Sequence, residues 1–396
     1  MAPLPISNQF TERVSHLKPE GAYAVLARAQ ALEAQGRNII HLEIGQPDFP
    51  TPQHVSEAGI NAIRSGKTKY TPPAGISQFR EVIADYAGRQ RGIKIDTGQV
   101  VVGTGSKPGL FFPTLALVSP GDEVIYPDPG FPTYEAMIRV AGGIPVPIPL
   151  REENQFSFDL DVFDSKINSR TRLVILNSPG NPTGGVIPVG DLQHIASQVI
   201  KTNAWVISDE IYTRLVYDGV TAHSIAEIDG MQPRTVIVDG FSKTYSMTGW
   251  RLGYMITPVA LADRLELLIT HATGCTATFT QYAGIEALTG PQDFVEKMLV
   301  EYQKRRNRML ELVNAIPGIH AQKPQGAFYL FPNIKATGLS SKEIATRLID
   351  EAGVAILSGT DFGEGGEGYI RLVYANSMEK IEEGIEKLAR WFKSLF

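Results

Sequence analysis

The chain has 396 residues, 43% of them hydrophobic, and a net charge of −5. That is enough for a large core and for two domains or one large α/β unit. The acidic balance argues against a nucleic-acid binder, which shows a basic balance or stripe. The single cysteine, Cys275, rules out an internal disulfide, and the seven scattered histidines have no helical ligand spacing, which argues against a zinc site.

The chain opens Met-Ala-Pro-Leu-Pro-Ile-Ser-Asn, with neither a basic start nor an apolar stretch of signal length. No run reaches the ~18 apolar residues of a membrane span. Asn181-Pro182-Thr183 fails as a glycosylation acceptor because proline holds its middle position. A cytoplasmic protein without membrane or nucleic-acid partners is the expectation.

In chain order, residues 19–36 read as a helix, with Pro19 suiting its start and Gly36 its stop. A strand at 39–44 runs into the turn signal Gly45-Gln46-Pro47-Asp48. Short β-branched runs follow at 100–102, 123–126, 173–176, 205–208 and 236–238, separated by helical stretches or long connections. Such near-continuous apolar strands suit a mostly parallel sheet covered on both faces. Ligands of such sheets gather at the carboxyl ends of strands, so the loops there are the candidates for a site.

Gly103-Thr104-Gly105-Ser106-Lys107-Pro108 joins a strand to a helix. It is either a generic turn or a backbone cradle for a phosphate at the helix N-terminus. Pro108 breaks both the dinucleotide and the nucleotide P-loop patterns. Asn177-Ser178-Pro179-Gly180-Asn181-Pro182-Thr183-Gly184-Gly185 is either an ordinary turn or a rigid loop presenting the Asn181 amide to a ring oxygen. Asp209 ends a strand. It either caps the next helix or holds a pyridinium nitrogen protonated, with Tyr212 in reach of the same ring.

Lys243 follows the 236–238 run among small residues, with Arg251 beyond it. A Schiff-base lysine needs such a place, and a planar permanent cation suits a phosphate. From about residue 291 the character changes. A long charged helix is expected over 294–315. Its basic cluster Lys304-Arg305-Arg306-Asn307-Arg308 reads as a solvated face. Arg371 lies inside the apolar run Gly368-Tyr369-Ile370-Arg371-Leu372-Val373, where an unpaired charge is costly. It is either a structural ion pair or a bidentate receptor for a carboxylate. The chain ends in an amphipathic helix with Met378, Ile381, Ile385, Leu388, Trp391, Phe392 and Leu395 on its apolar side.

In order and spacing these segments resemble the class I/II aminotransferases, the aspartate aminotransferase family of pyridoxal-phosphate (PLP) fold type I, over essentially the whole chain. The matching landmarks are Gly45-Gln46-Pro47-Asp48-Phe49, Tyr70, the loop around Gly105, Pro129-Gly130-Phe131-Pro132-Thr133-Tyr134, Asn181, Asp209 with Tyr212, Lys243 with Arg251, and Arg371. The resemblance implies an α/β fold with a mostly parallel seven-stranded sheet between helices. It also implies a large domain at 48–290 and a smaller α+β domain built from 1–47 and 291–396.

The resemblance further implies roles. Lys243 would carry PLP as a Schiff base and move the substrate proton. Asp209 would pair with the ring nitrogen, and Asn181 and Tyr212 with the ring oxygen. Gly105, Ser106, Lys107, Ser242 and Arg251 would hold the phosphate, and Phe131 would stack on the ring. Arg371 and Gly45, beside Phe131 and Asn181, would hold the substrate. Tyr70 would reach the phosphate of a neighbouring subunit, giving a homodimer with shared sites.

The implied activity is ping-pong amino transfer between an L-amino acid and a 2-keto acid. A carbon–sulfur lyase of the same fold is the alternative. A non-catalytic PLP-binding regulator is disfavoured because Lys243 and Asp209 are present and only about eighteen residues precede the helix expected from 19. Gly240 stands where some members have a phosphate-binding serine. Glu20 and Ala22 replace the Ser and Thr of aspartate-using relatives, and Glu20 would be able to face a basic substrate.

Overall fold

The computed structural model describes residues 10–15 and 17–394. Its strands are β1 (Ile40–His41), β2 (Val100–Gly103), β3 (Glu123–Asp128), β4 (Ile144–Pro149), β5 (Thr171–Asn177), β6 (Trp205–Asp209), β7 (Thr235–Gly240), β8 (Gly253–Ile256), β9 (Tyr329–Leu330), β10 (Val354–Ala355), β11 (Leu357–Ser358) and β12 (Ile370–Val373). Seven of them form the central sheet in the order β2-β8-β7-β6-β5-β3-β4. Strand β8 runs antiparallel to both neighbours, and every other pair is parallel.

The five strands expected in this region from β-branched runs all belong to the sheet. Two members escaped the pattern. Strand β4 reads Ile-Pro-Val-Pro-Ile-Pro, and proline normally argues against a strand. Here β4 is an edge strand, and Pro145, Pro147 and Pro149 alternate, so their missing N–H groups all fall on one side. An edge has one side that needs no donors. Strand β8 is short, begins with glycine and lies close behind the Lys243 segment. At its first residue an added Cβ would come 2.6 Å from the Ser106 nitrogen.

Both faces of the sheet are covered by helices. Leu110, Met137, Ile138 and Leu265 pack on one face, and Leu192, Ile195 and Val199 on the other. Strand β1 pairs in parallel with β10, while β11, β12 and β9 form an antiparallel sheet in that order. Ile40 and Leu42 share a core with Met309 and Val313 of the helix Asp293–Asn314 and with Ile385 and Leu388 of the helix Met378–Lys393. The expected helix at 19–36 is realised as Gly21–Glu33, and a helical turn, Glu12–Ser15, precedes it. Leu395, assigned to the apolar side of the last helix, lies outside the described residues.

The basic cluster needs correction. Arg306 is wholly buried and Arg305 nearly so. Arg305 binds both oxygens of Asp48 at 2.9 Å and also Glu301. Arg306 pairs with Asp218 at 2.9 Å, donates to the Pro324 carbonyl and lies 4.7 Å from the centre of the Tyr217 ring. Apart from Glu301, one turn away on the same helix, these partners lie outside the helix, so the helix pattern alone gave no sign of them. Only Lys304 and Asn307 of the cluster are exposed.

Candidate active site

The carboxyl ends of β5, β6 and β7 open toward one place, and the segment after β1 and strand β12 face it. Asp209, the last residue of β6, is 5% exposed. It accepts from the Tyr134 hydroxyl at 2.8 Å and more loosely from the Ile211 backbone at 3.4 Å. Burial pushes its carboxyl up to about 6. The two hydrogen bonds pull the other way, and Asp239 and Glu210 push further up. Asn177, at the end of β5, ties to the Asp209 carbonyl and accepts from the Asn181 backbone N–H.

The Lys243 amine donates to the Gly45 carbonyl at 2.5 Å and lies 5.6 Å from the Phe328 ring centre. Burial brings the ammonium down to about 7; Arg371 and Arg251 add to this, Asp209 opposes it and Lys107 adds a little. An amine so placed is partly neutral near pH 7 and available as a base or nucleophile.

Arg371, inside β12, is 3% exposed. Its guanidinium donates to the Asn181 side-chain oxygen at 2.9 Å and to the Glu43 carbonyl. It lies over the Tyr329 and Phe362 rings, with centres 4.5 and 4.7 Å away. Its Nε is buried without a partner. Among the described residues no carboxylate oxygen lies within 4.0 Å of it. Burial lowers its pKa, opposed by Tyr329, Tyr212, Asp361 and Glu43. Of the two readings of this residue, the structural ion pair is therefore absent, and a desolvated, planar donor set suited to a carboxylate remains.

The glycine loop crosses from β2 to the helix Lys107–Leu117. Gly105 takes φ +87°, and a Cβ there would meet the Arg251 guanidinium at 2.4 Å. Arg251 itself has φ 53° and donates to the Thr248 and Thr104 carbonyls. No carboxylate pairs with it among the described residues. Backbone N–H groups at a helix N-terminus beside such a guanidinium make an anion cradle. Ser242 is buried nearby in sequence, and Phe131 packs edge-on to Tyr134 at 5.8 Å with the Lys107 amine 5.2 Å from its centre.

One expectation changes. Glu20 does not stand open to a substrate: its carboxylate pairs with the Lys107 amine and lies 3.4 Å from the Thr133 hydroxyl. At Gly240 an added Cβ would come 3.1 Å from the Gly253 Cα and the Leu252 carbonyl oxygen, so a side chain there would press on the neighbouring backbone.

Two residues were missed. Tyr134 was quoted only as part of a motif, yet it holds Asp209; its place in the first turn after β3 was the available signal. Tyr329 lies in an apolar run that reads as any core strand. Its hydroxyl meets that of Tyr212 at 2.6 Å. Tyr70 touches none of these groups and is 95% exposed.

A lysine just past a strand end, a buried aspartate, a guanidinium beside a helix N-terminus and a buried arginine gather on a mostly parallel sheet, an α/β architecture shared with solved aminotransferases of PLP fold type I. The family model "Aminotransferase class I and II" matches residues 37–388. Aromatic-amino-acid aminotransferase 2 of Thermococcus litoralis is 38% identical over 387 residues, covering 97% of this chain and 98% of that protein. Aspartate aminotransferase of Pyrococcus abyssi is 40% identical over 357 residues, covering 89% and 92%. The crystal structure of the aromatic aminotransferase from Pyrococcus horikoshii superposes with a TM-score of 0.88 at 40% identity, covering 93% of this chain and 99% of that one.

The chain belongs to the class I and II aminotransferases. It is an enzyme that moves an amino group between amino acids and keto acids, and the carbon–sulfur lyase alternative is not favoured. The family is PLP-dependent. Among the described residues no His, Cys, Asp and Glu cluster could hold a metal ion, and no helix is long and apolar enough to cross a membrane.

Proposed function

We propose that this enzyme carries PLP on the Lys243 amine and works by two half-reactions at one site. The observation that carries this reading is the Lys243 amine itself. It sits within reach of a buried aspartate and amid three cations, at a pKa of about 7. The residues fit the group: the Gly105 cradle leaves no room for a Cβ beside Arg251, and Arg371 keeps a buried donor without a partner.

When bound, the cofactor supplies a carbonyl that condenses with amines and a ring that withdraws electrons. Asp209, ionised above about pH 6, holds a proton on the ring nitrogen. Tyr212 and the Asn181 side-chain amide donate to the ring oxygen; the Asn181 oxygen is already taken by Arg371, which leaves its NH2 for this task. The backbone of Gly105, Ser106 and Lys107, with Ser242 and Arg251, holds the phosphate, and Phe131 covers the ring. Arg371 and the Gly45 backbone hold the substrate α-carboxylate. The Lys243 amine, close to neutral at physiological pH, would be the base that takes the substrate Cα proton and hands it on within the site. Product leaves before the second substrate binds, the pattern of ping-pong kinetics.

Residues 48–290 form the cofactor domain in this reading, and 1–47 with 291–396 the smaller one. The pairing of β1 with β10 supports joining the two ends. Tyr70 serves the phosphate of a partner subunit in a homodimer, which its exposure supports. A cytoplasmic location accords with the lone cysteine.

The test is chemical. Borohydride reduction of the PLP-loaded enzyme followed by peptide mapping is expected to find the label on the peptide containing Lys243. Lys243→Ala is expected to fold yet lose the cofactor's covalent absorbance and nearly all transfer from amino acids to 2-oxoglutarate. A label on another lysine, or an unchanged rate, sinks the reading.

A further inference from the structure

We propose that Tyr329 is a positioning residue: it donates its hydroxyl proton to Tyr212, so that the Tyr212 proton is turned toward the cofactor's ring oxygen. The proposal rests on the PLP reading above and adds to it a residue that the motif series does not contain.

The two hydroxyl oxygens are 2.6 Å apart, and the residues are 4% and 1% exposed. Neither hydroxyl has another partner among the described residues. Each carries one proton, and only one proton fits between two oxygens at that distance. The pair therefore keeps one O–H donor unspent, and which residue keeps it depends on which phenol donates better.

The surroundings break the tie. The Arg371 guanidinium lies 4.5 Å from the centre of the Tyr329 ring. A cation over a phenol ring stabilises negative charge on its oxygen and makes the hydroxyl a stronger donor. Tyr212 also feels Arg371, but without the guanidinium over its ring, and the Asp209 carboxylate disfavours charge on its oxygen, an opposition that Tyr329 does not meet. Lys243 is the other charged group close by, with its amine 6.0 Å from the Tyr212 ring centre and 5.6 Å from that of Phe328. Donation from Tyr329 to Tyr212 is the favoured direction, and the Tyr212 proton is then left for the site.

Tyr329 is held for this. Its ring packs edge-on to Tyr212, with centres 5.7 Å apart at 81°, and lies 4.9 Å from Phe328. On its third side stands Gly45, where a Cβ would come 2.3 Å from the hydroxyl oxygen. The glycine whose carbonyl takes the Lys243 amine is thus also the residue that leaves space for the Tyr329 hydroxyl. One side chain touches three parts of the site that arrive from distant stretches of chain.

The experiment is a spectroscopic pH titration of the PLP-loaded enzyme. A ring oxygen that loses donor strength holds the proton shared with the Lys243 nitrogen more tightly, so the absorbance midpoint should rise. Tyr329→Phe is expected to raise it by about one pH unit, the scale of one hydrogen bond. Tyr212→Phe should raise it further, and the double variant should match Tyr212→Phe alone, because Tyr329 acts only through Tyr212. Site-specific 3-fluorotyrosine at 329 keeps the shape and acidifies the phenol, so it should lower the midpoint and reads the same contact if Tyr329→Phe does not fold.

A midpoint unmoved by 3-fluorotyrosine, or by a folded Tyr329→Phe while Tyr212→Phe moves it, overturns the positioning role. So do shifts that add in the double variant. Failure of the wild-type protein to form any pH-sensitive species at Lys243 would instead overturn the reading beneath it.

Discussion

Arg371 illustrates what a buried charge without a counter-ion implies. Two rings, one carbonyl and one amide hold the guanidinium, and among the described residues no side-chain carboxylate pairs with it. A substrate carboxylate would complete the set. Arg371→Ala is therefore expected to weaken amino-acid binding by roughly 2–5 kcal/mol. Uptake of PLP, followed by its absorbance, should survive. Arg371→Lys should recover only part of the loss, because an ammonium offers no planar fork. Unaltered affinity in a substrate titration of either variant would remove Arg371 from the site. Arg371 was legible in the sequence because a charge inside an apolar run contradicts its surroundings, and Asp209 because it stands at the end of such a run. Tyr329 was not legible. A tyrosine among Phe328, Leu330 and Phe331 agrees with a core strand, and its hydroxyl partner is far away in sequence.

Elements were legible where local pattern decides them and hidden where position in the sheet does. The parallel strands β5, β6 and β7 announce themselves as β-branched runs, but β4 is a strand only because it lies at the edge. Burial of Arg305 and Arg306 likewise depends on Asp48 and Asp218, which no helical period encodes. The same holds for the join between β1 and the helix Gly21–Glu33. His41 donates through Nδ1 to the buried Glu43 at 2.7 Å and through Nε2 to Glu33 of that helix at 3.1 Å. These carboxylates, Glu43 first, raise the imidazolium from 6.5 to about 9 against the opposing effect of burial. A folded-state pKa above the unfolded one means the added stability is full below about pH 6.5 and is lost progressively as pH rises through about 9. The melting temperature of the wild type should fall over that window by more than that of His41→Gln. Parallel melting curves for the two proteins between pH 6 and 10 would show that the triad contributes nothing.

At the scale of the whole molecule the question is what Tyr70 faces. Its side chain is 95% exposed on one chain and touches none of the groups of its own site, which accords with the proposed role at a neighbour's. If the site is shared, Tyr70 and Lys243 of one chain serve different active sites. A dimer of a Tyr70→Ala chain with a Lys243→Ala chain then has one site with both residues intact and one with neither. Random exchange of equal amounts makes about half of the dimers mixed, so activity should recover to about a quarter of the wild-type rate from two nearly inactive parents. Sites built within single chains would leave every site in the mixture lacking one residue, and the rate would stay at the average of the parents. Subunit exchange, followed by differently tagged chains, must be complete before the rate is read. Recovery near a quarter fixes the enzyme as an obligate pair, and a rate that stays at the parental average after full exchange removes Tyr70 from the partner's site.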